Sequence, residues 1–590
     1  MRTGPDVART AEVTGAAPAS RSAPRALWFI LAVAALARLP GLGGWPPPLN
    51  QDEASRGYDA WCLLESGQDR WGESWPLFQR SFGPGDYTAA LSTWLMLPSV
   101  ALVGPTPAAM RLPTALGGVL TVALLRIWVR RLWGDRVALA AALLLALSPW
   151  HISLTRTAHE AAWTPFFLCA GLLGWTLAGL PPFGNAVADS HSRNGIRRLM
   201  AAGLGGASLG LCAWVYPAPR LLIPVMLAAL VLLFAGRWWR ALREAAERRV
   251  IIGGLVGLVV GAAPLWLTLA TQPEKLAARA NSVLIWTAPI GVMDRLGWMF
   301  RNYAAEFSPI TLFVRVSELG LGLTDYLNDY GRLLHVEAPL LLCGLCMLLL
   351  RARCGATDRG LLLLLLLHPL PAALCGDWNP NPLRSFAGVI LWPVVGGLGA
   401  AAVWDGLSTR GGWRARVVPL LVAALAVDVG WCAYAFAVRM PVRTADFFQE
   451  NLAVAARRAA ALEQDFDAVI LTDISNQPYL YTLLFRPMPP TEWRDARKVI
   501  VPWYSNFEHL LRLGKYLYPP FVEPRASMGR EVLARFRSEL AELPAGARVL
   551  IIDIPGRGPP GDLIETILRR NGEPGLELRA GVIERAPPPG

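Results

Sequence analysis

Two adjacent acids, Asp52 and Glu53, stand in the phrase Pro48-Leu49-Asn50-Gln51-Asp52-Glu53, directly after a first apolar run and ahead of a short amphipathic stretch, 54–64. A carboxylate pair at that position can take a proton from a hydroxyl or hold a cation, while Asp and Glu also favour the first turn of any helix. A second acid, Glu160, closes Arg156-Thr157-Ala158-His159-Glu160 before another apolar run. Ionisable groups at the mouth of a helix bundle are costly unless paired or used, and Arg156 sits at the i,i+4 spacing that would pair it with Glu160. Zinc-protease chemistry at His159-Glu160 is excluded, because HExxH requires histidine where the chain has Trp163. Asp86 and Tyr87 follow the Gly83-Pro84-Gly85 turn. Asp86 suits a cation or a sugar hydroxyl, or equally a helix cap. A divalent metal, if one is used, would fall to Asp86 and Glu160. Arg220, Arg279 and Arg384 fall on the outer side and run against the positive-inside trend. Guanidinium geometry suits each to an anion such as phosphate, to a carboxylate or to a lipid headgroup.

The elements that must position these groups are mostly membrane helices. Of 590 residues 54% are hydrophobic and 17% charged, against about 25% charged in ordinary soluble domains, and mean hydropathy is +0.37. A purely soluble enzyme is excluded. The net charge of +12 is almost all arginine, with Lys275, Lys498 and Lys515 the only lysines. The arginines lie between apolar runs, so they read as topology signals and not as a nucleic-acid surface. The eight cysteines show neither a disulfide framework nor zinc spacing. No GxxxxGK[ST] loop is present, which argues against an ATP-driven pump, and the apolar runs lack the charged relay of a proton-coupled carrier.

Apolar runs begin near residues 26, 87, 112, 135, 161, 199, 220, 250, 336, 360, 385 and 417. Counting all twelve as spans puts the basic stretch 126–136 outside. Reading 87–104, which is short and contains Pro98, as an interfacial or re-entrant helix restores the positive-inside pattern for every loop. Eleven spans remain, with a cytoplasmic tail at 1–25 and outer loops at 44–111, 150–160, 271–335 and 376–384. The remaining segment, 440–590, changes character. A helix-like stretch near 445–464 and β-type runs at 468–473, 498–501 and 548–554 predict a small extracytoplasmic α/β domain.

These phrases, taken in order over roughly residues 26–440, resemble the GT-C membrane glycosyltransferases, within them the family of protein O-mannosyltransferases and the lipid A aminoarabinose transferase. The resemblance rests on Asp52-Glu53, on FGPGDYTAALSTWL at 82–95, on Thr155-Arg156-Thr157-Ala158 and on Asn381-Pro382-Leu383-Arg384. It implies a GT-C transmembrane catalytic domain at 26–439. It also implies transfer of a sugar, mannose or a related hexose or aminopentose, from a polyprenyl-phosphate carrier to a lipid, glycan or protein acceptor, at the outer face of the cell membrane. Asp52 would be the general base, Arg279 or Arg384 would neutralise the departing phosphate, and Glu53, Asp86 and Glu160 would orient hydroxyls. The chain departs from the family pattern at Thr88-Ala89-Ala90, where Lys-Pro-Pro is expected, and Arg279 is the substitute for the missing lysine. The WWDYG phrase of oligosaccharyltransferases is absent. A lipid-linked-sugar flippase or a non-catalytic scaffold is the alternative. Neither would need Asp52 for bond formation.

Overall fold

The computed structural model describes residues 23–184, 195–314, 330–376, 379–409, 412–445, 448–472, 477–502, 507–520, 527–557 and 561–583, with backbone alone at 279–282, 409, 413–415 and 527–530. Every one of the eleven apolar runs assigned as a span is helical. Four helices are long and apolar enough to cross a bilayer: Pro107–Trp133, Gly195–Val215, Phe386–Ser408 and Arg416–Arg443. Three more crossings result if bent pairs count as one: Asp135–Leu147 with Pro149–Thr155 (54°), Pro217–Leu233 with Ala235–Arg243 (83°) and Ala245–Gly261 with Ala263–Thr271 (52°). The protein is a multi-pass membrane protein. The other four helices, Ala23–Arg38, Thr164–Leu177, Glu337–Ala352 and Ala356–Leu367, have only 12 to 16 residues, roughly 18–24 Å at 1.5 Å per residue. Eleven full crossings therefore go beyond what helix length shows.

Close backbone approach holds the bundle together at small residues. A Cβ added to Gly206 would lie 2.0 Å from the carbonyl of Gly254, so the helices Gly195–Val215 and Ala245–Gly261 touch main chain to main chain, as small-residue membrane interfaces do.

The structure corrects the expectation of a helix from residue 87. Asp86–Ala89 is a strand pairing antiparallel with Phe78–Gly83, in register Gly83↔Asp86 and Arg80↔Tyr87. The two-residue connection Pro84-Gly85 closes a hairpin, and a short apolar run does not by itself distinguish strand from helix. The helix begins only at Leu91 and ends at Val103. Asp86 accordingly opens a strand, where the cap reading required a helix.

Beyond the bundle, seven strands form one mixed sheet in the order Lys498–Pro502, Glu508–Leu513, Tyr516–Leu517, Ala468–Leu471, Arg548–Asp553, Pro574–Val582, Asp562–Leu568. Ala468–Leu471 is central and parallel to both neighbours; the remaining pairs are antiparallel. Its alternating side chains divide between two cores. Ala468 packs with Val532 and Phe536 of the helix Ser527–Ala541, while Val469 and Leu471 join a core shared with Ala54, Tyr58 and Cys62. The sheet domain and the acidic helix of the first loop are thus packed as one body.

Candidate active site

The phrase from Asn50 to Glu53 folds as a capping box at the start of the helix Gln51–Ser66. The Asn50 side chain accepts from Glu53 N at 2.9 Å and Glu53 Oε2 accepts from Asn50 N at 3.1 Å. Gly57 lets this helix press on the helix Pro107–Trp133, because a Cβ there would meet Met110 Sδ at 2.2 Å. The two acids then part company. Glu53 is fully buried and takes Arg111 Nε and Nη2 at 2.8 Å each and the Ala158 amide at 2.7 Å. Arg111 spends its other donors on the carbonyls of Leu42, Pro46 and Pro47. Burial alone would push the Glu53 carboxyl up, but Arg111 and the amide donors hold it below the usual range. This geometry suits Glu53 to positioning the loop. Asp52, half-buried, accepts no hydrogen bond or ion pair from any described residue. Its charge is felt by His159 and by Tyr481.

One helical turn beyond Asp52, Arg56 Nη1 lies 2.5 Å from Glu160 Oε2, both side chains being buried. The expected pair between Arg156 and Glu160 does not form. Arg156 turns away and donates to the carbonyls of Ala37, Pro40 and Trp45, because Thr155 ends its helix and the following chain is not helical until Glu160. His159 caps the short turn Glu160–Trp163, its Nδ1 accepting from Ala161 N at 3.0 Å. Nδ1 therefore carries no proton, and the 3.6 Å approach to Glu160 Oε2 is no ion pair. Burial lowers the His159 pKa, against the opposing charge of Glu160. Arg220 adds a second guanidinium, set over the Phe78 ring at 5.1 Å and within electrostatic reach of Glu160. Both arginines keep Nε and Nη2 buried without a hydrogen-bond partner among the described residues.

Asp52, Glu53, His159, Glu160 and Arg220 are thus brought to one region. Tyr87 lies apart on the hairpin, its ring 5.2 Å from Lys275 Nζ, which pairs with Glu73 at 2.6 Å. Arg279 is on the same helix as Lys275, Pro273–Val283, with its side chain outside the described residues. Arg384 belongs to a separate turn, where Asn381 Oδ1 accepts from the amides of Leu383 and Arg384 and Glu306 accepts from the Asn381 amide at 2.9 Å. Among the described residues no three His, Cys, Asp or Glu side chains group as a metal site requires.

Sequence reasoning missed Arg56, Arg111, Lys275 and Tyr481. Arg56 had a signal, four residues after Asp52 on one helix face, and Arg111 stands alone at the head of an apolar run. Tyr481 had none. It reaches the site from 432 residues away, donating to Leu49 O at 2.7 Å.

No protein-family model and no curated protein sequence matches the chain. Among solved structures, that of ArnT from Cupriavidus metallidurans bound to undecaprenyl phosphate superimposes with a TM-score of 0.53 at 13% identity, covering 95% of this chain and 98% of ArnT. The apo state of ArnT gives 0.52 at 12% identity with the same coverage. The chain has the GT-C fold of ArnT, the aminoarabinose transferase. At 95% coverage the GT-C likeness takes in the sheet domain as well as the bundle.

Proposed function

We propose that this protein is an integral-membrane glycosyltransferase that moves a sugar from a polyprenyl-phosphate donor to an acceptor hydroxyl at the extracytoplasmic face of the cell membrane. The observation that carries the reading is the split between the adjacent acids. Glu53 is consumed by Arg111, whereas Asp52 has no partner among the described residues and stands at the edge of a buried group containing Glu160, Arg56 and Arg220. ArnT, with the same fold, was crystallised with undecaprenyl phosphate, and a lipid phosphate is the leaving group this chemistry needs.

Asp52 takes the acceptor's proton as its oxygen attacks the anomeric carbon in line, and the bond from that carbon to the phosphate oxygen breaks with inversion. A positioned base of this kind contributes about 10²–10⁴-fold. Polyprenyl phosphate leaves with added negative charge, which Arg220, with Nε and Nη2 lacking a partner among the described residues, is suited to meet. Arg384, and Arg279 in place of the family's lysine, remain donor-phosphate candidates, and Asp86 and Tyr87 contacts to the sugar. Glu160, held by Arg56, orients a hydroxyl. Mannose is the first sugar to try, with other hexoses and an aminopentose after it. The test is transfer by the purified chain in liposomes from radiolabelled polyprenyl-phosphate sugars. Movement of the lipid across the bilayer without bond formation would instead indicate a flippase.

A further inference from the structure

A cavity of about 230 Å³ lies between the helices Ala23–Arg38, Pro149–Thr155 and the last membrane helix, lined by Leu36, Trp45, Ile152, Cys432 and Phe436 with Arg156 as its charged group. None of Asp52, Glu53, Arg56, Glu160 and Arg220 lines it. The segment from Arg156 to Glu160 therefore parts two places, with Arg156 on the cavity side and Glu160 turned to Arg56. Arg156 is 2% exposed, all its donated bonds go to carbonyls, its Nε has no partner, and it has no carboxylate among the described residues.

A second buried cation stands behind it. Arg38, 0% exposed, donates only to the carbonyls of Ala34, Leu145 and Ala146 and meets His151 Nδ1, and it is close enough to Arg156 for the two charges to repel. Asp428, on the last helix, does not line the cavity and is occupied by Tyr330, His335 and the Val336 amide. Two buried guanidinium groups with no acid paired to them among the described residues leave a positive field at one end of an apolar space, the arrangement that an anionic amphiphile satisfies. The π-helical turn Ala435–Arg439 supplies Phe436, which lines the cavity and lies under Arg156 at 5.4 Å. Such turns are common at functional sites.

We infer that this cavity is a second lipid site, which takes an acidic phospholipid of the bilayer with its phosphate at Arg156 and an acyl chain along Leu36, Ile152 and Phe436. A sugar carrier seated there would hold its phosphate on the far side of the 156–160 segment from Asp52, so the occupant is a membrane phospholipid and not the donor.

The test reads binding alone and so is independent of the transferase proposal. Full-length protein is delipidated, supplied with phosphatidylglycerol, phosphatidylcholine of the same chains or a polyprenyl phosphate, and the bound lipid is counted by native mass spectrometry. One phosphatidylglycerol should be retained about tenfold more tightly than phosphatidylcholine, the size expected of a charge-assisted contact. Arg156→Gln should abolish the preference, and Ala433→Phe, which fills the cavity and leaves every arginine bond intact, should abolish retention. Leu267→Phe, on an exposed helix face, should change neither. Equal retention of both phospholipids, unchanged binding in Ala433→Phe, or a polyprenyl phosphate that displaces phosphatidylglycerol would each overturn the inference.

Discussion

Arg111 closes on Glu53 fork to fork, Nε to Oε1 and Nη2 to Oε2, each at 2.8 Å and both side chains fully buried. This pair joins the first loop to the head of the helix Pro107–Trp133. It also explains how two neighbouring acids acquire different chemistry, since the charge of Glu53 is neutralised in place while that of Asp52 is not.

Breaking the pair from one side should be costly. Glu53→Gln leaves the Arg111 charge buried and unpaired, for which about 3–5 kcal/mol is expected, visible as a lower melting temperature of the purified protein. Arg111→Lys should fare little better, since an ammonium cannot span both oxygens. The double variant Glu53→Gln with Arg111→Met should regain part of the loss.

Arg220 should behave in the opposite way. Its Nε and Nη2 have no hydrogen-bond partner among the described residues, so Arg220→Gln removes no described bond at those atoms and should leave the melting temperature almost unchanged. Transfer should nevertheless fall in kcat by about 10²–10³-fold if Arg220 meets the leaving phosphate. Steady-state kinetics with the lipid-linked donor separates this from a change in KM alone.

Tyr481 ties the sheet domain to the acidic helix through Leu49 O, three residues before Asp52. Tyr481→Phe leaves a buried carbonyl unsatisfied, at a cost of about 1–3 kcal/mol. Transfer should drop as well, because the start of the Asp52 helix loses a tether. A variant with lowered stability but full kcat would show that the tether is structural only.

His509 gives the sheet domain a pH signature. Its Nε2 donates to Tyr518 O at 3.1 Å, and burial, partly opposed by that bond, lowers its pKa to about 4, against about 6.5 when unfolded. The unfolded chain therefore takes up this proton first as pH falls. The contribution is complete above about pH 6.5 and is lost on going down to about pH 4. Melting temperatures of the full chain across that range should decline, and His509→Gln should flatten the decline.

The fold class was legible because membrane helices announce themselves: each run assigned as a span is helical, and the arginine-rich connections separate them. The β-type runs likewise contain strands, Ala468–Leu471, Lys498–Pro502 and Arg548–Asp553, since a short β-branched apolar run is a local signal. What local pattern did not carry was pairing. The turn Pro84-Gly85 made a hairpin where an apolar run suggested helix, and the i,i+4 spacing of Arg156 and Glu160 meant nothing once the helix stopped at Thr155. The partners of Glu160 and Leu49, namely Arg56 and Tyr481, come from 104 and 432 residues away, and no spacing rule reaches that far. The acids themselves were visible; which one was free to react depended on Arg111.

The most direct measurement compares the natural chain with Asp52→Asn in liposomes, scoring radiolabelled sugar moved from polyprenyl phosphate to acceptor. Asparagine keeps the shape of the side chain and cannot take a proton, and because Asp52 makes no described bond its loss should not disturb folding. Transfer is expected to fall by about 10²–10⁴-fold with an unchanged melting temperature. Equal transfer by both proteins would contradict the assignment of Asp52 as the base.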